Sequence, residues 1–88
     1  MKIKSNYVFQ EIADEFLVVP IAEEADRLQG VIRLNDTGAY LWKCLENGID
    51  SPSEMEAILI SKYNLPPEKA HEDVEIFVSN LENLGCLE

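Results

Sequence analysis

Basic residues are scarce in this sequence: seven Lys and Arg stand against 17 Asp and Glu, which gives a formal net charge of −10. The acidic residues are spread along the whole chain instead of forming a tail. A nucleic-acid-binding protein gains most of its affinity by placing Lys and Arg against phosphates, and no basic cluster exists here. The composition therefore disfavours DNA, RNA and anionic membrane surfaces as partners.

Cysteine, histidine and long apolar runs are also scarce. Cys44 and Cys86 lie far apart, in no metal-ligand spacing. No apolar run approaches the ~20 residues that cross a bilayer, and the first ten residues, MKIKSNYVFQ, lack the apolar core of a signal peptide. We expect a cytoplasmic protein with reduced thiols and no cofactor.

The one histidine, His71, argues against catalysis. It lies among several carboxylates, which raises the alternative of a metal site, but no second His or Cys is near it in the sequence. A solvated, charged helix face is the better interpretation. Because no nucleophile, base and orienting residue can be grouped from the sequence, we expect a binding protein and not an enzyme.

The first third of the chain is rich in β-favouring residues. Residues 7–12 and 16–19 form two such runs, and the short polar segment between them predicts a hairpin turn. Pro20 ends the second run or lies at a sheet edge. After the acidic connection AEEADRLQ, residues 30–34 predict a third strand. In this strand Ile32 and Leu34 share the face that we expect to meet the core.

Three helices are predicted from the rest of the chain. Asn35 is a good N-cap for a first helix that ends at Gly48, and Ser51 followed by Pro52 begins a second helix. The third helix follows the NLPP break and ends in a glycine C-cap at Gly85. Its apolar stripe consists of Ala70, Val74, Phe77, Leu81 and Leu84.

These elements predict one α+β domain over residues 1–88, with a three-stranded antiparallel sheet followed by three helices. The last two helices, joined by a tight break at 64–66, have the shape of a helix-turn-helix. Together with the strands they suggest a winged-helix-like arrangement. Trp42, on the first helix, is expected in the core because its ring buries so much surface.

Three segments in this order resemble the PqqD-like family: the hairpin ending FLVVPI, the run GVIRLNDTGAYLWKCLENG, and the helix pair SPSEMEAILISKYNLPPEKAHEDVEIFVSNLENLGCL. Members of this family are also called RiPP recognition elements, after the ribosomally made, post-translationally modified peptides that they serve. The resemblance covers the chain from Tyr7 to Leu87. Its most specific part runs from Leu34 to Trp42, and none of it is a catalytic signature.

The resemblance implies a peptide-binding module. Family members bind the leader of a precursor peptide as an extra antiparallel strand against the third strand, in a cleft walled by the third helix. They present the precursor to a modifying enzyme, often a radical SAM enzyme, a protease or a cyclase. The expected partners are therefore a precursor leader peptide and a RiPP-modifying enzyme. A short third strand after a long connection supports this independently, because it leaves backbone groups unpaired.

The candidate peptide-binding residues lie on the third strand and on one face of the third helix. Ile76 lies off the apolar stripe of that helix and is a better cleft residue than Phe77. Arg33 pairs either with a leader carboxylate or with a local Glu. The full set is Gly30, Val31, Ile32, Arg33, Leu34, Asp73, Ile76, Phe77 and Asn80.

Two other functions are open to a domain of this predicted fold. The first is a winged-helix DNA-binding regulator, although the second and third helices carry only Lys62 and Lys69 as basic residues. The second is an accessory subunit that stabilises an enzyme without contacting its substrate. An exposed strand edge also allows a homodimer, since it can pair with itself.

Overall fold

The computed structural model describes residues 1–28, 30–49 and 51–88, and it has the predicted α+β architecture with a three-stranded antiparallel sheet. Four helices are present in these ranges, one more than predicted. The elements are β1 (Tyr7–Ile12), β2 (Glu15–Pro20), α1 (Glu23–Arg27), β3 (Ile32–Leu34), α2 (Asp36–Glu46), α3 (Pro52–Tyr63) and α4 (Pro67–Leu84).

A two-residue turn joins β1 to β2. Ala13 and Asp14 both have positive φ, 50° and 66°, as in the hairpin turns whose twist matches that of the strands. The residues that flank the turn, Ile12 and Glu15, are opposite each other. β2 is the central strand, and both of its neighbours run antiparallel to it.

The hairpin fixes which peptide groups of β2 point to which neighbour. In such a hairpin the residues flanking the turn exchange both backbone hydrogen bonds, and bonded pairs alternate with non-bonded pairs along the ladder. The hydrogen bond from Ile21 N to Asn6 O, 2.9 Å long, continues this alternation past the end of β2. The odd-numbered residues of β2 therefore bond β1, and the even-numbered residues turn their peptide groups towards β3.

The third strand is shorter than predicted. It begins at Ile32, which is opposite Val18, and not at Gly30. Two positions further along, the next peptide group of β2 that faces β3 belongs to Pro20, which has no N–H to donate. The ladder ends there, so Gly30 and Val31 lie outside the strand.

The acidic connection contains the short helix α1, which the sequence did not predict. Arg27 Nε donates to Glu24 Oε2 at 2.8 Å, and the Tyr7 hydroxyl donates to the same carboxylate oxygen at 2.8 Å. Hydrogen bonds from Tyr7 and Arg27 lower the pKa of Glu24. The pKa of Tyr7 is raised, mainly by burial and to a smaller extent by its hydrogen bond to Glu24. These contacts hold α1 against the sheet. Gln29, the last residue of the predicted connection, and Asp50 lie outside the described residues.

The helices cover one face of the sheet and form a single apolar core. Trp42 is fully buried, as predicted, and its ring meets that of Tyr7 edge-on at 6.0 Å between centroids. Val18 of β2 is fully buried. The core consists of Val18, Leu41, Trp42, Leu45, Ile49, Met55, Leu59, Ala70, Val74, Phe77, Leu81 and Cys86.

The predicted helix ends are confirmed at three positions. Asn35 Oδ1 accepts a hydrogen bond from Gly38 N at 2.8 Å, which caps α2, and Ser51 Oγ accepts one from Glu54 N at 3.4 Å, which caps α3. Gly85 ends α4 in the left-handed conformation, with φ of 73°. This region favours glycine because a Cβ is strained there.

The segments near the two ends of the chain pair with each other. Ile3 forms an isolated antiparallel bridge with Leu87, and Lys4 N donates to Cys86 O at 2.8 Å. Both cysteines are free thiols, and burial raises the pKa of each. Within the described ranges, no helix is long and apolar enough to span a bilayer.

Candidate functional site

The outer edge of β3 carries an unpaired peptide group. Ile32 and Leu34 are opposite the even-numbered β2 residues Val18 and Phe16, so their N–H and C=O groups bond β2. Arg33 lies between them, and its N–H and C=O therefore point away from the sheet. An extended peptide laid beside β3 can exchange two hydrogen bonds with Arg33.

Two clefts lie on the helix side of this edge, between β3 and α4. The first has a volume of about 260 Å³ and the second about 300 Å³. Four residues line both clefts: Arg33, Leu34, Phe77 and Asn80. We call the two clefts together the β3–α4 groove. Its apolar floor and its neighbouring strand edge suit an extended peptide that presents alternate side chains to one face.

Most of the predicted site residues come together in this groove. Arg33, Leu34 and the four α4 residues line the first cleft, and Ile32 lines the second. Gly30 and Val31 precede β3 and are not among the lining residues of these two clefts. The four α4 residues are Asp73, Ile76, Phe77 and Asn80.

Two neighbouring α4 residues differ in how they meet the groove. Ile76 is 54% exposed, whereas Phe77 is 7% exposed and belongs to the core cluster. Ile76 therefore offers a free apolar surface to a ligand, and Phe77 offers only the part of its ring that closes the floor. The contact of Ile76 with a bound peptide stays a prediction.

The first turns of α2 form a third wall of the groove, which the sequence did not predict. Thr37, Gly38 and Leu41 line the first cleft together with the cap residue Asn35. A Cβ at Gly38 would lie 2.9 Å from Asn35 Oδ1, so the glycine keeps this wall low and leaves the cap in place. The N-cap signal at Asn35 located the helix start, but no sequence pattern places that start beside α4.

The charged residues beside the groove are paired within the domain. Arg33 Nη1 lies 3.6 Å from Glu15 Oε1, and both side chains are largely exposed. Of the two partners predicted for Arg33, the structure therefore shows the local Glu. Lys69 Nζ lies 3.1 Å from Asp73 Oδ1, and this hydrogen bond raises the pKa of Lys69. Exposed pairs of this kind contribute about 0 to 1 kcal/mol and rearrange easily when a ligand binds.

His71 lies on another face of α4, away from the residues that line the groove. Its Nδ1 is 2.9 Å from Glu56 Oε2 and its Nε2 is 3.1 Å from Glu75 Oε2. Each ring nitrogen thus faces a different carboxylate. Over the residues that the structure describes, no group of three or more His, Cys, Asp or Glu side chains could hold a metal ion.

The fold and the groove define a small α+β domain with an open strand edge beside a helix-walled groove. The sequence profile of the family PqqD, described as coenzyme PQQ synthesis protein D, matches residues 17–87. The chain therefore belongs to the PqqD family. Among curated proteins, the search finds no match.

Two experimental structures share the fold over almost their whole length. TbiB1 in complex with the TbiA(beta) leader peptide is 25% identical to this chain, with a TM-score of 0.77, and the alignment covers 100% of this chain and 95% of TbiB1. Lasso peptide synthetase B1 complexed with the leader peptide is 21% identical, with a TM-score of 0.75, and the alignment covers 99% of this chain and 95% of that protein. The second likeness shows the fold alone.

Proposed function

We propose that this domain binds the leader segment of a ribosomally synthesised precursor peptide as a strand added to β3, and presents the precursor to a modifying enzyme in the cytoplasm. The observation that carries the proposal is the outward peptide group of Arg33 beside the β3–α4 groove. Membership of the PqqD family and the leader-peptide complex of the similar protein TbiB1 support it. The modifying enzyme is a radical SAM enzyme, a protease or a cyclase.

The register of the sheet sets how such a leader would lie. The leader residue opposite Arg33 exchanges two backbone hydrogen bonds with it, and its side chain points away from the helices, as the Arg33 side chain does. The residues on either side, opposite Ile32 and Leu34, point into the groove. Two leader side chains, two positions apart, therefore enter the groove and are expected to be apolar, since Leu34 and Phe77 line both clefts.

The DNA-binding alternative receives no support from the two lysines of α3 and α4. Lys69 is paired with Asp73, and Lys62 Nζ lies 5.1 Å from the ring centroid of Tyr40. Exposed carboxylates surround both helices, which opposes phosphate binding. The function that the geometry supports is binding of an extended peptide.

The test separates the backbone of Arg33 from its side chain. Arg33→Pro removes the outward N–H and spares the ladder with β2, whereas Arg33→Ala removes only the guanidinium. With a fluorescein-labelled synthetic leader, we expect the Kd to rise by about tenfold for Arg33→Pro, since a net hydrogen bond contributes about 1 kcal/mol and the leader carbonyl is left unpaired. Arg33→Ala is expected to change the Kd less than about fivefold.

One control variant makes the result interpretable. Ile32→Pro removes a bond of the ladder to β2 and should lower the thermal unfolding midpoint more than Arg33→Pro does. Absence of saturable leader binding by the unsubstituted chain, with or without its enzyme, would overturn the proposal. Normal binding by a folded Arg33→Pro variant would place the docking strand elsewhere.

A further inference from the structure

The face of the sheet opposite the helices carries apolar side chains on β1 and β2, beside the polar Gln10, Glu15 and Arg33. Because side chains alternate along a strand and Val18 points into the core, Leu17 and Val19 point to the other face. Val8 is directly opposite Val19 and lies on the same face. We call this the outer sheet face; its apolar residues are Val8, Ile12, Leu17 and Val19, with the half-exposed Val31 beside them just before β3.

This face does not pack against the core cluster, and its residues are partly exposed. The partly buried residues that pack against the core cluster include Tyr7, Phe9 and Ile32 of the opposite face, and Val8, Leu17 and Val19 are not among them. Val8 is 38% exposed, and Ile12 is about half exposed. Exposed apolar residues grouped on one face of a small domain commonly mark a surface for a protein partner.

The charge of the chain argues against a second copy as the occupant. Each of two copies would bring a net charge of −10 to the contact.

A leader strand on β3 enlarges the same face. The leader residue opposite Arg33 points its side chain to the outer side, so every second leader residue extends this face beyond Arg33, which lies opposite Leu17. The hairpin end of this face carries Asp14 and Glu15, both exposed. A partner that fits it has an apolar centre and a rim of Lys and Arg.

We propose that the outer sheet face, extended by the bound leader, is the surface on which the modifying enzyme docks, through an apolar contact with a basic rim. The proposal rests on the proposed function, because the leader supplies the fourth strand. The enzyme then binds the leader-loaded domain more tightly than the free domain, and the two binding events are coupled.

Val8 allows the two interfaces to be tested separately. It lies on β1, and the other two strands separate it from the leader edge. Val8→Lys places a positive charge at the apolar contact. Ile60→Lys is the matched control, because Ile60 is 37% exposed, almost the same as Val8, but lies on α3.

The experiment uses the whole chain, the labelled synthetic leader and the purified enzyme that modifies the same precursor. We expect Val8→Lys to weaken enzyme binding at least tenfold, both with and without leader, and to leave the leader Kd within about twofold. Ile60→Lys is expected to change neither. Raising the salt concentration from about 50 to about 500 mM should also weaken enzyme binding, since it screens the basic rim.

The outcomes distinguish this proposal from the proposed function. If leader binding fails but enzyme binding still depends on Val8, the docking surface stands and the leader function falls. If the leader binds normally and Val8→Lys binds the enzyme as the unsubstituted chain does, the docking surface is overturned. A dimer of the free chain in sedimentation equilibrium that Val8→Lys abolishes would assign the face to a second copy and would also overturn it.

Discussion

Arg33 contributes its peptide group and its side chain to two different surfaces. Its N–H and C=O face the open edge of the sheet because Ile32 and Leu34 use theirs to bond β2. Its guanidinium lies on the outer sheet face, 3.6 Å from Glu15. A substitution that changes only the side chain therefore tests the outer face, and one that removes the N–H tests the edge.

Asn35 links the stability of α2 to the wall of the groove. Its Oδ1 accepts from Gly38 N at 2.8 Å and from the Thr37 hydroxyl at 3.2 Å. We expect Asn35→Ala to lower the free energy of unfolding by about 1 kcal/mol in urea titration, since the amides of the first helical turn lose their acceptor. Asn35→Asp keeps an acceptor oxygen and should remain within about 0.5 kcal/mol of the unsubstituted chain. Equal losses in both variants would contradict the capping role.

At the scale of elements, an ion-pair cluster joins α3 to α4. His71 of α4 lies between Glu56 of α3 and Glu75 of α4. The hydrogen bond to Glu56, followed by the charges of Glu56 and Glu75, raises the pKa of His71. The protonated form is therefore favoured in the folded state.

The sign of the pH effect follows from this shift. Because the folded pKa is above the unfolded value of about 6.5, the stabilisation is complete below pH 6.5 and is lost as the pH rises through the folded pKa. Between about pH 5.5 and about pH 8.5, the thermal midpoint of the unsubstituted chain should fall relative to that of His71→Gln. Parallel pH profiles for the two proteins would show that the cluster does not couple to folding.

Elements with local sequence signals were predicted well, and elements that depend on distant contacts were not. The caps at Asn35 and Ser51 and the C-cap at Gly85 fixed the helix ends because each acts within one turn. α1 has five residues and none is buried; contacts with Tyr7 and with Gly85, whose carbonyl accepts from Arg27 at 3.4 Å, hold it in place. Such contacts leave no local pattern.

At the scale of the whole molecule, one core supports both proposed surfaces. The residues from sheet and helices form a single buried cluster, so α4, which walls the groove, is stabilised by the same packing that holds β2. A domain of this size has a total stability of about 4 to 13 kcal/mol. The loss of one large core side chain is therefore a substantial fraction of the whole.

Two adjacent residues of α3 test this dependence. Leu59 is fully buried in the core, and Ile60 is exposed. Leu59→Ala is expected to cost about 2 to 5 kcal/mol of unfolding free energy, because it removes buried methyl groups and leaves a cavity. Ile60→Ala should change it by about 0.5 kcal/mol or less. Urea unfolding followed by the fluorescence of Trp42 measures both, and similar costs for the two variants would contradict the assignment of the core.

Part of the groove could be predicted from the sequence, because part of it depends on local patterns. The β3 and α4 residues that line it were found because strand alternation and helix periodicity indicate which side chains share a face. Thr37, Gly38 and Leu41 were not found, because the packing of α2 beside α4 brings them to the first cleft. The outward direction of the Arg33 peptide group could be assigned only from the hairpin register of the structure. A one-residue slip would have turned the peptide groups of Ile32 and Leu34 outward instead.

Strand addition is best tested by site-resolved amide hydrogen exchange, measured in the absence and in the presence of saturating synthetic leader. In the free domain the Arg33 amide should exchange fast and the Ile32 amide more slowly, since only the second bonds β2. The outward amide of Phe9 on β1 serves as the control for the opposite edge of the sheet. We predict that the leader slows exchange at Arg33 at least tenfold and leaves Phe9 unchanged. Unchanged exchange at Arg33 with leader bound, or protection at Phe9 instead, would contradict this prediction.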